Sequence, residues 1–173
     1  MLSTMKAHIL GAPGTGKTTL AEWIGETFAV PVYDLDLVVY DLNTREERTE
    51  PEIRSLVVGI AAEDGWVTEG GYRNEWLRPL LEDADIVVWL DLSWRVTAYR
   101  IIKRHVQAEI AGVNRHPGWR RLAGFVAFTY RRSGAIKRES RSLIEQYAAK
   151  TRVIRTAADL RRLKDEFVSL RGA

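Results

Sequence analysis

Residues 11–18 read Gly11-Ala12-Pro13-Gly14-Thr15-Gly16-Lys17-Thr18, a GxxxxGK(S/T) pattern set between the apolar run Ala7-His8-Ile9-Leu10 and the helical spacing Leu20, Ala21, Ile24, Phe28. Few local patterns constrain a fold so tightly, because this one demands a strand, a tight glycine loop and a helix in immediate succession. The glycines let backbone N–H groups turn inward around an anion where a Cβ would block approach. The helix that follows points its positive end at the same place. Lys17 reaches β- and γ-phosphate oxygens, the Thr18 hydroxyl is placed for Mg²⁺, and Thr19 adds a hydroxyl for the α-phosphate. The expected ligands are ATP and Mg²⁺, with Gly11, Pro13, Gly14, Thr15, Gly16, Lys17, Thr18 and Thr19 forming the cradle.

Strand-like and helix-like segments alternate along the rest of the chain, which predicts an α/β fold of three layers around a parallel sheet. Five strands are expected, over Lys6–Leu10, Pro31–Tyr33, Gly65–Thr68, Ile86–Leu90 and Arg152–Ile154. Helical spacing covers about 52–62, 76–81, 94–110, a stretch through Phe125, Phe128 and Leu143, and 158–170. The turn-rich basic stretch Gly112–Gly118, with Pro117, interrupts the two long helices. It places a mobile flap within a small helical lid over 111–130. The segment 37–64 is expected to shape an acceptor site. At 173 residues the chain fits one domain, 1–173.

The chain has no cysteine, which removes disulfides, thiolate metal sites and a thiol nucleophile from consideration. No apolar run approaches the roughly 18 residues that cross a bilayer, and no signal-peptide core is present, so a cytoplasmic protein without membrane partners is expected. His8, His105 and His116 lack ligand spacing, and no metal beyond phosphate-bound Mg²⁺ is implied. The six tryptophans read as packing residues, with Trp119 and Phe125 placed to stack on a base. The net charge of +3 hides a strong asymmetry: Arg95–Arg141 carries twelve Lys/Arg against Glu109 and Glu139. An anionic partner follows, either nucleotide phosphates or a nucleic acid.

Ligands of open parallel sheets sit beyond the carboxyl ends of the strands. The second strand ends in Asp34-Leu35-Asp36, the third in Glu69-Gly70-Gly71-Tyr72-Arg73 and the fourth in Asp91. Asp36 is the candidate general base for a hydroxyl acceptor, which must lose a proton as it is phosphorylated. Asp34 is a candidate for the water shell of Mg²⁺ and for the acceptor wall. Either aspartate can instead cap a helix or close a turn. Asp91 has the form of an acidic strand end that serves magnesium, a role weighed below that of Glu69.

On Gly11–Thr18, Asp36, Glu69–Arg73 and the Arg100, Arg104 pair, the chain resembles the P-loop nucleotide and small-molecule kinases. Within them it is similar to the adenylate-kinase-related proteins of the DNA topology modulation type. The resemblance implies a nucleoside-kinase-like P-loop NTPase fold, with Glu69 holding a magnesium water and Arg73 clamping the acceptor's phosphate. It also places Arg100 and Arg104, four residues apart, near adenine and phosphates, and Asp159 and its neighbours after the last strand at the edge of the base. Two features depart from adenylate kinases: Glu69 and Tyr72 stand where aspartate and proline are usual, and Asp34-Leu35-Asp36 looks like the paired aspartates of shikimate-kinase-type enzymes. Phosphoryl transfer is accelerated chiefly by positioned cations. Arg131, Arg132, Arg138 and Arg141 are therefore expected to close over the phosphates, with Arg138 and Arg141 the preferred pair. The function expected is transfer of the ATP γ-phosphoryl to a nucleoside monophosphate or a small hydroxyl compound. A nucleic-acid-associated or regulatory ATP-binding protein with little turnover is the alternative.

Overall fold

The central strand β1, Lys6–Gly11, decides the architecture, because five of its six residues are buried and neither face can meet water. The computed structural model describes residues 4–113 and 118–172. In it β1 lies between β3 (Trp66–Gly70) and β4 (Ile86–Leu90), with β2 (Val32–Asp34) and β5 (Thr151–Ile154) outside them. The order is β2-β3-β1-β4-β5, and every pairing is parallel. Continuous apolar strands such as Ile86-Val87-Val88-Trp89-Leu90 are what a sheet covered on both faces requires.

Side chains alternate across the sheet, so each strand feeds two cores. Ala7, Ile9, Ile86, Val88 and Leu90 face α1 (Lys17–Phe28) and α7 (Ala157–Gly172), meeting Leu20, Ile24, Phe28, Leu163 and Phe167. Leu10, Trp66, Val87 and Trp89 face the opposite way. That side is closed by α2 (Leu35–Val39), α3 (Glu50–Ala61), a 3₁₀ turn at Glu75–Leu77, α4 (Arg78–Asp83) and Ile144. Full burial of one large apolar side chain contributes about 1.5–3 kcal/mol, so the two cores dominate stability.

Two long helices pack on each other, α5 (Trp94–Ile110) and α6 (Trp119–Glu145). The Ser93 side chain caps α5, accepting from Val96 N. The turn between the helices is described only at its ends, Gly112 and Gly118, both at positive φ. His116, Pro117 and the centre of the expected flap lie outside the described residues. Among the described residues no helix is long and apolar enough to cross a membrane.

Helix α2 is absent from the reading of the sequence. Asp34 creates it by accepting the backbone N–H of Asp36 at 2.9 Å, as an N-cap does. Val38 and Val39 then turn into the core, while Tyr40 stays exposed. Beyond them Arg48 holds the segment by donating to the Leu37 and Val38 carbonyls at 2.9 and 3.0 Å and to Asp41 Oδ2 at 3.0 Å.

Candidate functional site

The loop between β1 and α1 is shaped before any ligand arrives. Gly14 and Gly16 adopt φ of 80° and 94°, which favour glycine. A Cβ on Gly14 would stand 2.8 Å from Ile101 Cγ1 and 3.0 Å from the Thr97 carbonyl, so α5 packs directly on the loop. Thr15 Oγ1 donates to the Ala12 carbonyl at 2.8 Å, and Arg100 Nη1 donates to the Thr15 carbonyl at 2.8 Å. The loop is braced from within and from α5.

Three strand ends meet at its mouth. Lys17 Nζ lies 3.9 Å from Glu69 Oε2, and Thr18 Oγ1 donates to Glu69 Oε1 at 2.5 Å. Burial pushes the Lys17 ammonium below its ordinary pKa, with Glu69, Asp36 and Asp34 resisting the fall. Burial likewise raises the Glu69 carboxyl, against the pull of the Thr18 hydroxyl and Lys17. Asp34 is the register partner of Glu69 on the next strand. Among the described residues no cluster of three His, Cys, Asp or Glu side chains holds a metal by itself. Mg²⁺ prefers hard oxygen ligands and uses one or two carboxylates together with substrate phosphates. The Thr18 hydroxyl and the Glu69 carboxylate, side by side at the lip of an anion cradle, fit that pattern.

A cleft of about 1100 Å³ joins these groups. It is lined by Gly11, by the loop from Pro13 through Thr19, by Asp34, Asp36 and Glu69, and by Arg100 and Arg104 of α5. Asp36 accepts a hydrogen bond from the Tyr72 hydroxyl at 2.8 Å. Burial first, and then this bond, raise the Tyr72 phenol and keep it a donor. Arg73 is not on the cleft lining: its Nε donates to Ser140 Oγ of α6 at 2.9 Å and its Nη1 to the Gly71 carbonyl at 2.5 Å. Burial lowers its pKa, and among the described residues no carboxylate lies in ion-pair range of it.

Arg138 and Arg141 are exposed on α6 and also stand off the cleft, as do Arg131 and Arg132. Asp159 caps α7 instead of edging the cleft, accepting from the Arg155 and Thr156 amides at 3.1 and 2.9 Å. Trp119 packs on His105, ring centroids 5.5 Å apart, whereas Phe125 does line the cleft. Asp91 is held between two cations, Lys137 of α6 at 2.6 Å and Arg155 at 3.2 Å. The Lys137 ammonium approaches Oδ1 off the line of a hydrogen bond, so that attraction is Coulombic.

The end of the cleft beyond β5 was expected only as Asp159 and its neighbours at the edge of a base. Arg155, Thr156, Ala157, Leu160 and Lys164 line it. Lys164 also sits 4.3 Å from the centre of the Trp23 ring. The signal was slight: Leu160 and Lys164 are four apart on α7, one helical turn.

No family model matches the sequence. By structure the chain is similar to a gluconokinase from Sinorhizobium meliloti 1021, with a TM-score of 0.53, 17% identity, and 98% of this chain and 99% of that one covered. It is also similar to shikimate kinase from Bacteroides thetaiotaomicron, with a TM-score of 0.53, 17% identity, and coverage of 93% and 96%. The architecture of this chain, a five-stranded parallel sheet covered by helices, is the α/β fold of these two kinases.

Proposed function

We propose that this protein is a small-molecule kinase that moves the γ-phosphoryl of ATP to a hydroxyl of a small acceptor. The observation that carries this reading is the position of Asp36, a carboxylate on the same cleft as Lys17, oriented by the Tyr72 hydroxyl. A phosphate acceptor has no proton to give up at neutral pH and gains nothing from such a base, whereas a hydroxyl does. The two structural neighbours, named for gluconate and shikimate, support a hydroxyl acceptor. Arg73, a half-buried guanidinium that stands behind Gly71 of the cleft lining with, among the described residues, no carboxylate in ion-pair range, supports an acceptor that also carries a negative group. Two other arginines near the acceptor side are already engaged, Arg48 with Asp41 and Arg54 with Glu50. On this reading the chain stands nearer the hydroxyl-phosphorylating P-loop kinases than the adenylate-kinase-related proteins of the DNA topology modulation type.

ATP would supply the transferable phosphoryl group, and Mg²⁺ would neutralise part of its charge. The loop from Gly11 to Thr19 binds the phosphates through backbone N–H groups, and Lys17 balances charge on the outer oxygens. Thr18 and Glu69 hold the metal's side of the site, with Asp34 one strand away. Arg100 braces the loop, and with Arg104 presents cations along the lid wall. Asp36 takes the acceptor's proton.

The test is ADP release from Mg-ATP with a panel of hydroxy acids, sugars, nucleosides and nucleoside monophosphates, with Lys17→Ala as control. Stimulation by a hydroxyl compound, absent in the control, is the expected result. Stimulation by nucleoside monophosphates alone would overturn the hydroxyl reading.

A second reading rests on Arg120, Arg121, Arg131, Arg132, Arg138 and Arg141, all exposed on α6. Outward arginines on one helix are what an anionic polymer such as a nucleic acid contacts. DNA affinity that falls steeply with salt would support it.

A further inference from the structure

Helix α6 has only Leu122, Thr129, Ser140 and Ile144 buried among its 27 residues, so apolar packing alone fixes its position weakly. Among the described residues, two polar contacts tie it to the rim of the sheet. One is Lys137 against Asp91, and the other is Ser140 accepting from Arg73. The two contact residues are three apart and share a helix face. Asp91 is 8% exposed at the side chain, and its amide donates to the Ile154 carbonyl at 2.9 Å, so the carboxylate is anchored at the end of β4. Its second cation, Arg155, belongs to the loop that lines the far end of the cleft. Beside the pair, a cavity of about 30 Å³ backs onto Ala12 and Pro13 of the phosphate loop, room for about one water. A carboxylate so enclosed is poorly screened, and loss of one partner is felt strongly.

We propose that Asp91 is a positioning residue, which through Lys137 sets the register of α6 and so holds Arg73, by way of Ser140, against the carbonyl of Gly71 on the cleft lining. The same carboxylate fastens Arg155 at the opposite end. Order at the two ends of the cleft is thereby linked through one buried charge. This assignment differs from the magnesium role that an acidic strand end invites. It rests on the kinase reading only where it speaks of an acceptor, because the chain Asp91, Lys137, α6, Ser140, Arg73 exists without substrate.

The experiment follows the Arg73 Nε–H in ¹⁵N-arginine-labelled full-length protein, assigned with Arg73→Lys. Lys137→Met should speed its solvent exchange roughly tenfold, the factor for one hydrogen bond to a charged group lost from a half-buried site. Lys137→Arg should restore protection. Leu122→Ala, which loosens α6 without touching either tie, should not reproduce the effect. Unchanged exchange in Lys137→Met, or equal acceleration in Leu122→Ala, would overturn the proposal. With an acceptor in hand, Lys137→Met should raise its KM while kcat and the KM for ATP hold, and this effect should vanish in an Arg73→Lys background. Equal changes in all three constants would count against positioning. A panel that yields no acceptor would sink the kinase reading alone, since the exchange measurement stands without one.

Discussion

His8→Gln should remove most of the acid sensitivity of this fold between pH 6.5 and 4. His8 is 1% exposed in the central strand, with Nδ1 2.8 Å from Thr68 Oγ1 and Nε2 without a partner among the described residues. Burial lowers its pKa from 6.5 to about 4. The unfolded chain therefore takes up a proton near pH 6.5, and the folded chain refuses it until about pH 4. Stability is whole above the upper value and drains away as pH falls toward the lower one. The whole of that difference is lost between the two values. At 1.36 kcal/mol per unit this is about 3 kcal/mol, a large share of the roughly 5–15 kcal/mol that holds a domain folded. Urea unfolding followed by tryptophan fluorescence at half-unit steps from pH 7.5 to 4.5 measures it. Glutamine keeps a polar partner for Thr68 but cannot titrate, so any constant offset drops out of the slope. Carboxylates with lowered pKa, such as Asp41, Glu52 and Asp159, titrate alike in both proteins and cancel in the difference. Parallel loss of stability in wild type and variant would refute the argument.

Three further outcomes are expected. Glu69→Gln keeps an acceptor for the Thr18 hydroxyl but loses the charge; turnover should drop roughly 10–100-fold, while affinity for nucleotide without Mg²⁺ changes little in calorimetry. Asp36→Asn should cut kcat by about 10²–10⁴ at unchanged ATP affinity, and activity kept near wild type would remove it as the base. Arg138→Ala and Arg141→Ala, at exposed positions off the cleft, should shift ATP affinity and kcat by no more than about twofold, as surface substitutions do; a hundredfold loss in kcat alone would show that α6 brings them over the phosphates.

What the sequence disclosed was set by how local the cause was. The phosphate loop and β4 were legible because their signals sit in consecutive residues, and α5 was bounded correctly because Ser93 caps it and Gly112 stops it. Helix α2 escaped because five residues show no period, and its one signal, Asp34, reads equally well as a site residue. The aspartate proves to be both the cap of α2 and part of the cleft wall. The placement of Arg73, Arg138 and Arg141 depends on how a 27-residue helix lies on the sheet, which spacing along the chain does not encode. The pairing of Asp91 with Lys137 and Arg155 spans 46 and 64 residues and was invisible for the same reason.

The strand order also sets a timetable for biosynthesis. Lys6 pairs with Trp66 and Ala7 with Ile86, so the middle strand of the sheet is made first and gains its second neighbour 79 residues later. At roughly 5–20 residues per second, that is about 4 to 16 s during which an apolar strand leaves the ribosome with at least one edge unpaired. Edge-exposed apolar segments invite pairing with other chains. Slower synthesis or crowded expression should therefore cost yield through the nascent Lys6–Gly11 segment, well before the stability of the finished fold comes into play.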